Sequence, residues 1–334
     1  MQVTVVRPSE LGEGEAAQWR AFQGSSLMMS HPFLSLSYVK AWGMANANVR
    51  VSVVEDNGRI EAFMPYEIGE GKIAAAVGGT QTYVDGLVSS GAPLNVRAIV
   101  RKSDLRGWRF SRAAVDQTAL DPYRYRGTHH WRSGTYVDLS EGYDKYLSDL
   151  GASVNRKIVK AEKSRRSLQR EVGPVSFDWK SPRPEYFDEL IGWKSAQFEN
   201  VRQWSPGALS VMRDLALMDN EDCRGLMGVL LAGEQTAAIT LCLEGPGVIA
   251  GWTLAYNPEL SRFSVGTISL LDLIRGASAH GIKMLDFGVD YTVVANNYKD
   301  IFRNATYEVS GGGVWASRLG SVARSLYRSV KYRD

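Results

Sequence analysis

The sequence predicts an α/β protein built on mixed, mostly antiparallel sheets flanked by helices, and three observations predict it. Asp56-Asn57-Gly58 separates two strand-like runs, 49–55 and 59–67. Asn-Gly supplies the positive φ angles that a tight hairpin needs. Gly233-Glu234 and Gly245-Pro246-Gly247 divide 225–255 into three strands at hairpin spacing. A helical stretch then runs over 265–280, stops at Gly281 and gives way to an apolar run at 283–287. A helix between two strands is the usual crossover to a parallel neighbour.

Taken in order, the first half opens with a strand at 3–5 and a polar helix over 15–22. Pro32 introduces a second helix over 35–44, followed by strands at 49–55, 59–67 and 72–77. Further strands are expected at 107–113 and 134–138. Residues 142–172 read as one long helical region that Gly173-Pro174 stops. Its middle is basic, with Arg156, Lys157, Lys160, Lys163, Arg165, Arg166 and Arg170 against Glu162 and Glu171. A strand at 175–179 and helices over 184–199 and 206–218 lead into the hairpins.

Composition excludes several classes. The net charge of +3 is too small for a nucleic-acid binder. All of the excess lies beyond residue 150, because residues 1–150 hold equal numbers of basic and acidic side chains. Cys223 and Cys242 have no zinc spacing and read as reduced, partly buried thiols. His129 and His130 are adjacent and diverge on either a strand or a helix, so no metal site is expected. With no secretory pattern and no apolar run approaching a membrane span, the expected location is cytoplasmic.

Chemistry is expected at the crossover. Ser264-Val265-Gly266-Thr267 begins the helix, where free N–H groups and the helix dipole favour an anion. Gly266 would let a phosphate approach the backbone, and Arg262 stands near enough to help neutralise it. On spacing alone the same residues better describe an ordinary Ser or Thr cap with a packing glycine. Leu270, Leu271, Ile274 and Ala277 form the stripe that holds the helix to its sheet.

The stretch Ser261-Arg262-Phe263-Ser264-Val265-Gly266-Thr267, then Leu285-Asp286-Phe287-Gly288, then Asn297-Tyr298-Lys299-Asp300-Ile301-Phe302 resembles the second domain of the CelD-like GNAT acetyltransferases. His31-Pro32-Phe33-Leu34 with Trp42, and the basic helix before the second domain, resemble the same family. The family is tied to cellulose and exopolysaccharide production and is related to the Fem-type transferases. The resemblance covers most of the chain and is strongest over 150–302. The family's common arginine after Gly288 is absent here, and residues 291–296 look like an insertion.

The resemblance implies two GNAT-like domains and a thioester donor, acetyl-CoA or another acyl-CoA, with an acyl carrier protein as the alternative. The pantetheine arm would lie where strand 248–255 splays from strand 283–287. The pyrophosphate would meet Arg262, Ser264, Val265, Gly266 and Thr267. Asp286 and Asp290 are the candidate bases, Lys299 is the candidate charge stabiliser, and Tyr298 lies beside it. Tyr83 and Asp85, in the glycine-rich 78–86 segment, and Trp252 are candidates for binding the acceptor. Each has a plainer role as turn or packing residue.

The expected domains are 1–150, 151–313 and a basic amphipathic helix over 314–334. In that last segment Trp315, Leu319, Val322, Leu326 and Val330 recur at helical steps. Gly311-Gly312-Gly313 reads as a joint or turn before it. Such a helix suits the inner face of a membrane, and it suits packing on the protein's own core equally well. The expected activity is N- or O-acyl transfer to a small-molecule, sugar or glycan-precursor acceptor. The alternatives are a Fem-type aminoacyl transferase, disfavoured by the lack of a long heptad segment over 180–330, and a non-catalytic scaffold of a polysaccharide synthase complex.

Overall fold

The protein is described by a computed structural model over residues 1–127, 130–197, 204–289 and 301–317. Its contacts divide the chain into two compact units. One comprises Met1–Met29, Phe33–Arg132 and the residues from Glu308 onward. The other comprises Ser30–Pro32 and Ser133–Tyr307.

The first unit is an antiparallel-rich sheet with helices. It contains β1 (Gln2–Val6), α1 (Glu13–Gln23), α2 (Leu36–Ala45), β2 (Val49–Asp56), β3 (Arg59–Ile68), β4 (Ile73–Ala75), β5 (Val88–Ser89), α3 (Val96–Lys102) and β6 (Gly107–Ala114). The β2–β3 hairpin turns where the sequence placed it, with Asn57 and Gly58 at φ 48° and 76°. Ser35 caps α2 by accepting from the Tyr38 N–H at 3.0 Å. β4 pairs parallel with β6, and the other strand pairings of this unit are antiparallel. Met64, Tyr66, Trp108 and Phe110 fill a core under this sheet with Val96, Ile99 and Val100 of α3. Neither β5 nor α3 was expected; Asn95, which caps α3 through the Ala98 N–H, was the available signal.

Two expectations for the end of the chain are corrected. Gly311-Gly312-Gly313 is not a joint. It lies inside the strand Ala305–Trp315, which pairs antiparallel with β6 through Val314 and Trp108. Crossing aromatic rings demand the missing side chains: a Cβ on Gly312 would sit 2.0 Å from the Phe110 ring, and one on Gly313 2.9 Å from the Tyr125 hydroxyl. The helix expected from 314 therefore cannot begin there, because Trp315 closes that strand. Residues 318–334 lie outside the described residues.

The second unit runs β7 (Trp131–Asp138), α4 (Tyr143–Asp149), α5 (Ala152–Glu171), β8 (Val175–Asp178), α6 (Glu185–Gln197) and α7 (Pro206–Ala216). It continues with β9 (Arg224–Ala232), β10 (Gln235–Gly245), β11 (Val248–Tyr256), α8 (Val265–Ala279), β12 (Met284–Val289) and the start of β13 (Ala305–Trp315). Its strand order is β7-β12-β11-β10-β9-β8. β11 and β12 are parallel neighbours joined through α8, as the crossover pattern implied, and the other neighbours are antiparallel. The halves drawn from sequence at residue 150 differ from these units in the placement of β7 and α4. β7 pairs with β12, Asp138 against Met284, which joins it to the second unit.

The single helix expected over 142–172 is broken at Leu150, whose ψ of 132° is extended, leaving α4 and α5. α5 lies on α8, where the Arg165 guanidinium meets the Asp272 carboxylate at 2.6 Å. Burial holds the Asp272 carboxyl above its ordinary value, and Arg165 and Arg275 pull it back only in part. Ile268, Leu271, Ile274 and Ala277 of α8 pack with Leu285 and Phe287 of β12 in one core. The outer face of α5 exposes Arg156, Lys157, Lys160 and Lys163.

Candidate functional site

The site of interest begins where β11 and β12 part. They pair at Val248–Met284, Ile249–Leu285 and Ala250–Asp286, and go no further. Just beyond, β11 bulges: Leu241 faces Thr253 and Cys242 faces Gly251, so Trp252 is the extra residue. The bulge bends β11 at the parting, and a cleft opens on the α8 side between Thr240, Gly251, Thr253, Leu254, Leu270 and Phe287. Trp252 itself is buried, at 6% exposure.

The open edge of β11 is chemically asymmetric. The Asn257 N–H donates to the Ala237 carbonyl of β10 at 3.0 Å. By strand alternation, the backbone groups of Tyr256 and Leu254 then face away from β10, toward the edge that β12 has left. Their carbonyls are taken by α6: Lys194 Nζ donates to the Leu254 oxygen at 3.0 Å, and Gln197 Nε2 to the Tyr256 oxygen at 3.1 Å. What that edge has to offer a ligand is therefore N–H donors. Burial holds the Lys194 ammonium below its ordinary pKa.

α8 begins at the far end of this edge. Asn257 caps a 3-10 turn over Pro258–Phe263 by accepting from the Glu259 N–H. Ser264 then takes a left-handed φ of 55°, and its side chain caps nothing. The Thr267 and Ile268 N–H groups donate to the Ser264 carbonyl, at 2.9 and 3.2 Å. Among the described residues neither the Val265 nor the Gly266 N–H has an acceptor. Gly266 also serves packing: a Cβ there would come within 3.3 Å of the Tyr256 ring and 3.4 Å of Leu254. Arg262 is exposed, ion-paired with Glu171 of α5 at 2.9 Å and lying over the Phe263 ring.

Asp286 is the third of the six residues of β12, short of the strand end where it was expected, in surroundings the sequence did not reveal. It is fully buried. Its Oδ1 accepts the Gly288 N–H at 2.8 Å. Its Oδ2 lies 3.0 Å from His31 Nε2 and accepts the Tyr307 hydroxyl at 3.0 Å. Glycines permit both neighbours. A Cβ on Gly245 would strike the Ser30 carbonyl at 2.3 Å, so the 30–32 segment reaches β10 only over that glycine. A Cβ on Gly134 of β7 would lie 2.1 Å from the Tyr307 ring. With both oxygens engaged and no exposure, the Asp286 carboxylate is built to act through its partners rather than on a substrate directly.

The structure thus gathers Trp252, Arg262, Ser264, Val265, Gly266, Thr267 and Asp286 in the second unit. Tyr83 and Asp85 belong to the first. There Asp85 accepts the Ser111 and Arg112 N–H groups at 2.8 and 3.0 Å, and Tyr83 meets Phe33 edge-on. Burial raises the Asp85 carboxyl. This is the plainer role weighed for Asp85. Asp290, Tyr298 and Lys299 lie outside the described residues. Sequence reasoning missed His31, Lys194, Gln197 and Tyr307 as site residues. Only His31 carried a signal, within the His31-Pro32-Phe33-Leu34 stretch.

Comparison with known proteins agrees with this geometry. Residues 155–300 match the family model described as an acetyltransferase (GNAT) domain. No curated protein matches the chain. Among solved structures, FemX is similar at a TM-score of 0.60 and 9% identity, covering 96% of this chain and 99% of that one. L-PGS from Bacillus licheniformis is similar at 0.53 and 12%, covering 93% and 95%. A tandem GNAT protein from the clavulanic acid biosynthesis pathway is similar at 0.50 and 12%, covering 95% and 98%. At such identities the likeness is one of fold, and it extends over both units. Residues 155–300 thus match a GNAT acetyltransferase domain, the chain has the fold of tandem GNAT proteins, and it is an acyltransferase.

Proposed function

We propose that the chain transfers an acyl group from acetyl-CoA or another acyl-CoA to an amine or hydroxyl of a sugar or glycan precursor. The observation that carries this reading is the parting of β11 from β12 after Ala250 and Asp286. The edge left open ends beside the uncapped N–H groups of Val265 and Gly266. Amide carbonyls of a pantetheine arm suit the N–H donors of Leu254 and Tyr256. The pyrophosphate suits the helix start, where backbone donors and the dipole favour negative charge.

Attack on a thioester carbonyl places negative charge on its oxygen, so donors must await it and the acceptor's proton must be removed. Backbone donors at the Trp252 bulge serve the first need, with Lys299 as a further charge stabiliser. Asp286, acting through its partners, and Asp290 are the candidate bases. Tyr298 and Trp252 line the acceptor side, and Arg262 serves the phosphates once released from Glu171. An acyl carrier protein would present the same pantetheine arm. The basic residues beyond 317 would hold the enzyme at the cytoplasmic face of a membrane, beside lipid-linked acceptors.

The test is calorimetry of acetyl-CoA binding, with native mass spectrometry of fresh protein for co-purified CoA. Gly266→Asp puts bulk and negative charge at the helix start and should abolish binding. Gly266→Ala asks the Tyr256 ring, 3.3 Å from the added methyl, to give by a few tenths of an ångström, and should remain folded. Unchanged binding in a folded Gly266→Asp variant places the donor elsewhere. A wild-type protein that binds no acyl-CoA sinks the reading.

A further inference from the structure

We propose that Tyr307 is the acceptor-side catalytic residue of the second unit, and that His31 and Asp286 are the positioning residues that hold its hydroxyl. The proposal rests on the acyl-transfer reading above.

Leu285 and Phe287 belong to the core beneath α8, so the Asp286 side chain between them points to the other face of the sheet. The donor cleft, lined by Leu270, Thr240 and Phe287, is on the α8 face. A nucleophile has to approach from the side the thioester arm does not fill. Asp286 is also the last β12 residue paired to β11, opposite Ala250, so its carboxylate marks the point of parting.

A buried carboxylate with three hydrogen-bond donors is costly to assemble. Here it is assembled from three distant stretches: His31, Asp286 with Gly288, and Tyr307. Two glycines, Gly245 and Gly134, make the approach of the first and last stretches feasible. Of the three side chains, His31 and Asp286 are fully buried, whereas Tyr307 is only partly so. Tyr307 is therefore the least buried member of the group. It is also held at its hydroxyl rather than by its ring alone.

The chemistry balances within this group and the proposed reaction. The acceptor's oxygen or nitrogen forms a bond to the acyl carbon, and the carbon–sulfur bond breaks. The acceptor's proton passes to the Tyr307 oxygen as the Tyr307 proton passes to Asp286 Oδ2. The departing thiolate takes a proton from solvent, and Asp286 returns its proton through Tyr307. His31, donating to the same Oδ2, keeps the carboxylate turned toward Tyr307 throughout.

The experiment compares wild type with Tyr307→Phe, His31→Gln and Asp286→Asn. It uses acetyl-CoA as donor, glucosamine and hydroxylamine as acceptor probes, and a thiol dye as readout. In Tyr307→Phe the ring still covers Gly134, acetyl-CoA affinity should hold, and kcat should fall about 100-fold. Asp286→Asn removes the final proton acceptor and should lower kcat about as far as Tyr307→Phe, His31→Gln should give a smaller loss with a displaced pH profile, and both should leave KM for acetyl-CoA unchanged. Should Tyr307→Phe fail to fold, fluorotyrosine at 307 keeps the shape with a more acidic phenol, and the limb of the pH profile should move to lower pH. Wild-type kcat in folded Tyr307→Phe, or an unmoved profile with fluorotyrosine, overturns the proposal and leaves the donor reading standing. A wild-type protein that binds acetyl-CoA yet releases thiol to neither probe also overturns it. Absence of acetyl-CoA binding removes the donor reading and this assignment together.

Discussion

The Lys194 ammonium sits 3.0 Å from the Leu254 carbonyl oxygen, on the β11 edge that β12 leaves open. Burial lowers its pKa from the ordinary 10.5, because the charged form loses hydration. Between the lowered value and 10.5 the unfolded chain holds more protons than the native one, so stability rises with pH across that window. Lys194→Met has no such titration. Melting temperatures of the two proteins against pH should show the wild type gaining on the variant toward pH 10.5. Parallel curves would mean that the ammonium is as well solvated as in the unfolded chain.

Gly134→Ala should be destabilising by about 1–3 kcal/mol, the usual cost of overpacking. The added methyl would lie 2.1 Å from the Tyr307 ring, which has Asp286 at its hydroxyl end and so cannot swing freely. Denaturant unfolding gives the stability change. The same variant should lower turnover with acetyl-CoA binding intact, because the ring it displaces is not on the donor edge. A stability equal to wild type would show that Tyr307 does not cover Gly134 in solution.

Arg165→Met removes the closest partner of Asp272 and should cost about 1–3 kcal/mol. Arg275, at 3.3 Å, keeps the carboxylate from being stranded. The native Asp272 carboxyl is already raised by burial, and losing Arg165 raises it further. A raised carboxyl contributes stability that is complete below the unfolded value of 3.8 and is lost as pH rises through the folded value. The variant's deficit should therefore be largest near neutral pH and shrink as pH falls toward 3.8. A deficit independent of pH would assign the loss to packing of the arginine stem.

Both cysteines should be silent toward thiol reagents in the native protein. Cys223 and Cys242 are fully buried, and burial pushes the Cys242 thiol up to about 12, which leaves almost no thiolate at pH 8. Titration with a thiol dye should count none before denaturation and two after it. A native count above zero would reveal local opening of β10 or of the segment before β9.

The hairpin-rich centre of the second unit was legible because its turns are written in glycine and its strands in alternation. β9 to β12 and the crossover helix fall where those signals put them. The start of α8 was legible for the same reason: a helix start has a local signature. The group around Asp286 has none. Residues 31, 286 and 307 have no periodic relation, and what joins them is space left by Gly245 and Gly134 against β10 and β7. Gly311-Gly312-Gly313 misled because the ring that accounts for Gly312 belongs to Phe110, some two hundred residues earlier. Asp85 was marked by a glycine-rich setting, and its carboxylate turned out to accept two backbone N–H groups of β6.

The short Ser30–Pro32 segment belongs to the second unit although the chain on either side of it belongs to the first. The two units are therefore braided along the polypeptide, and no single cut of the gene separates them. A fragment beginning at residue 133 would leave the Asp286 carboxylate without its imidazole and the ledge over Gly245 bare. During synthesis the same braid means that the segment carrying His31 emerges long before its carboxylate exists. Closing so long a loop is a late and slow event in folding. Activity should then appear only after full-length chain is released, with no active intermediate from either half.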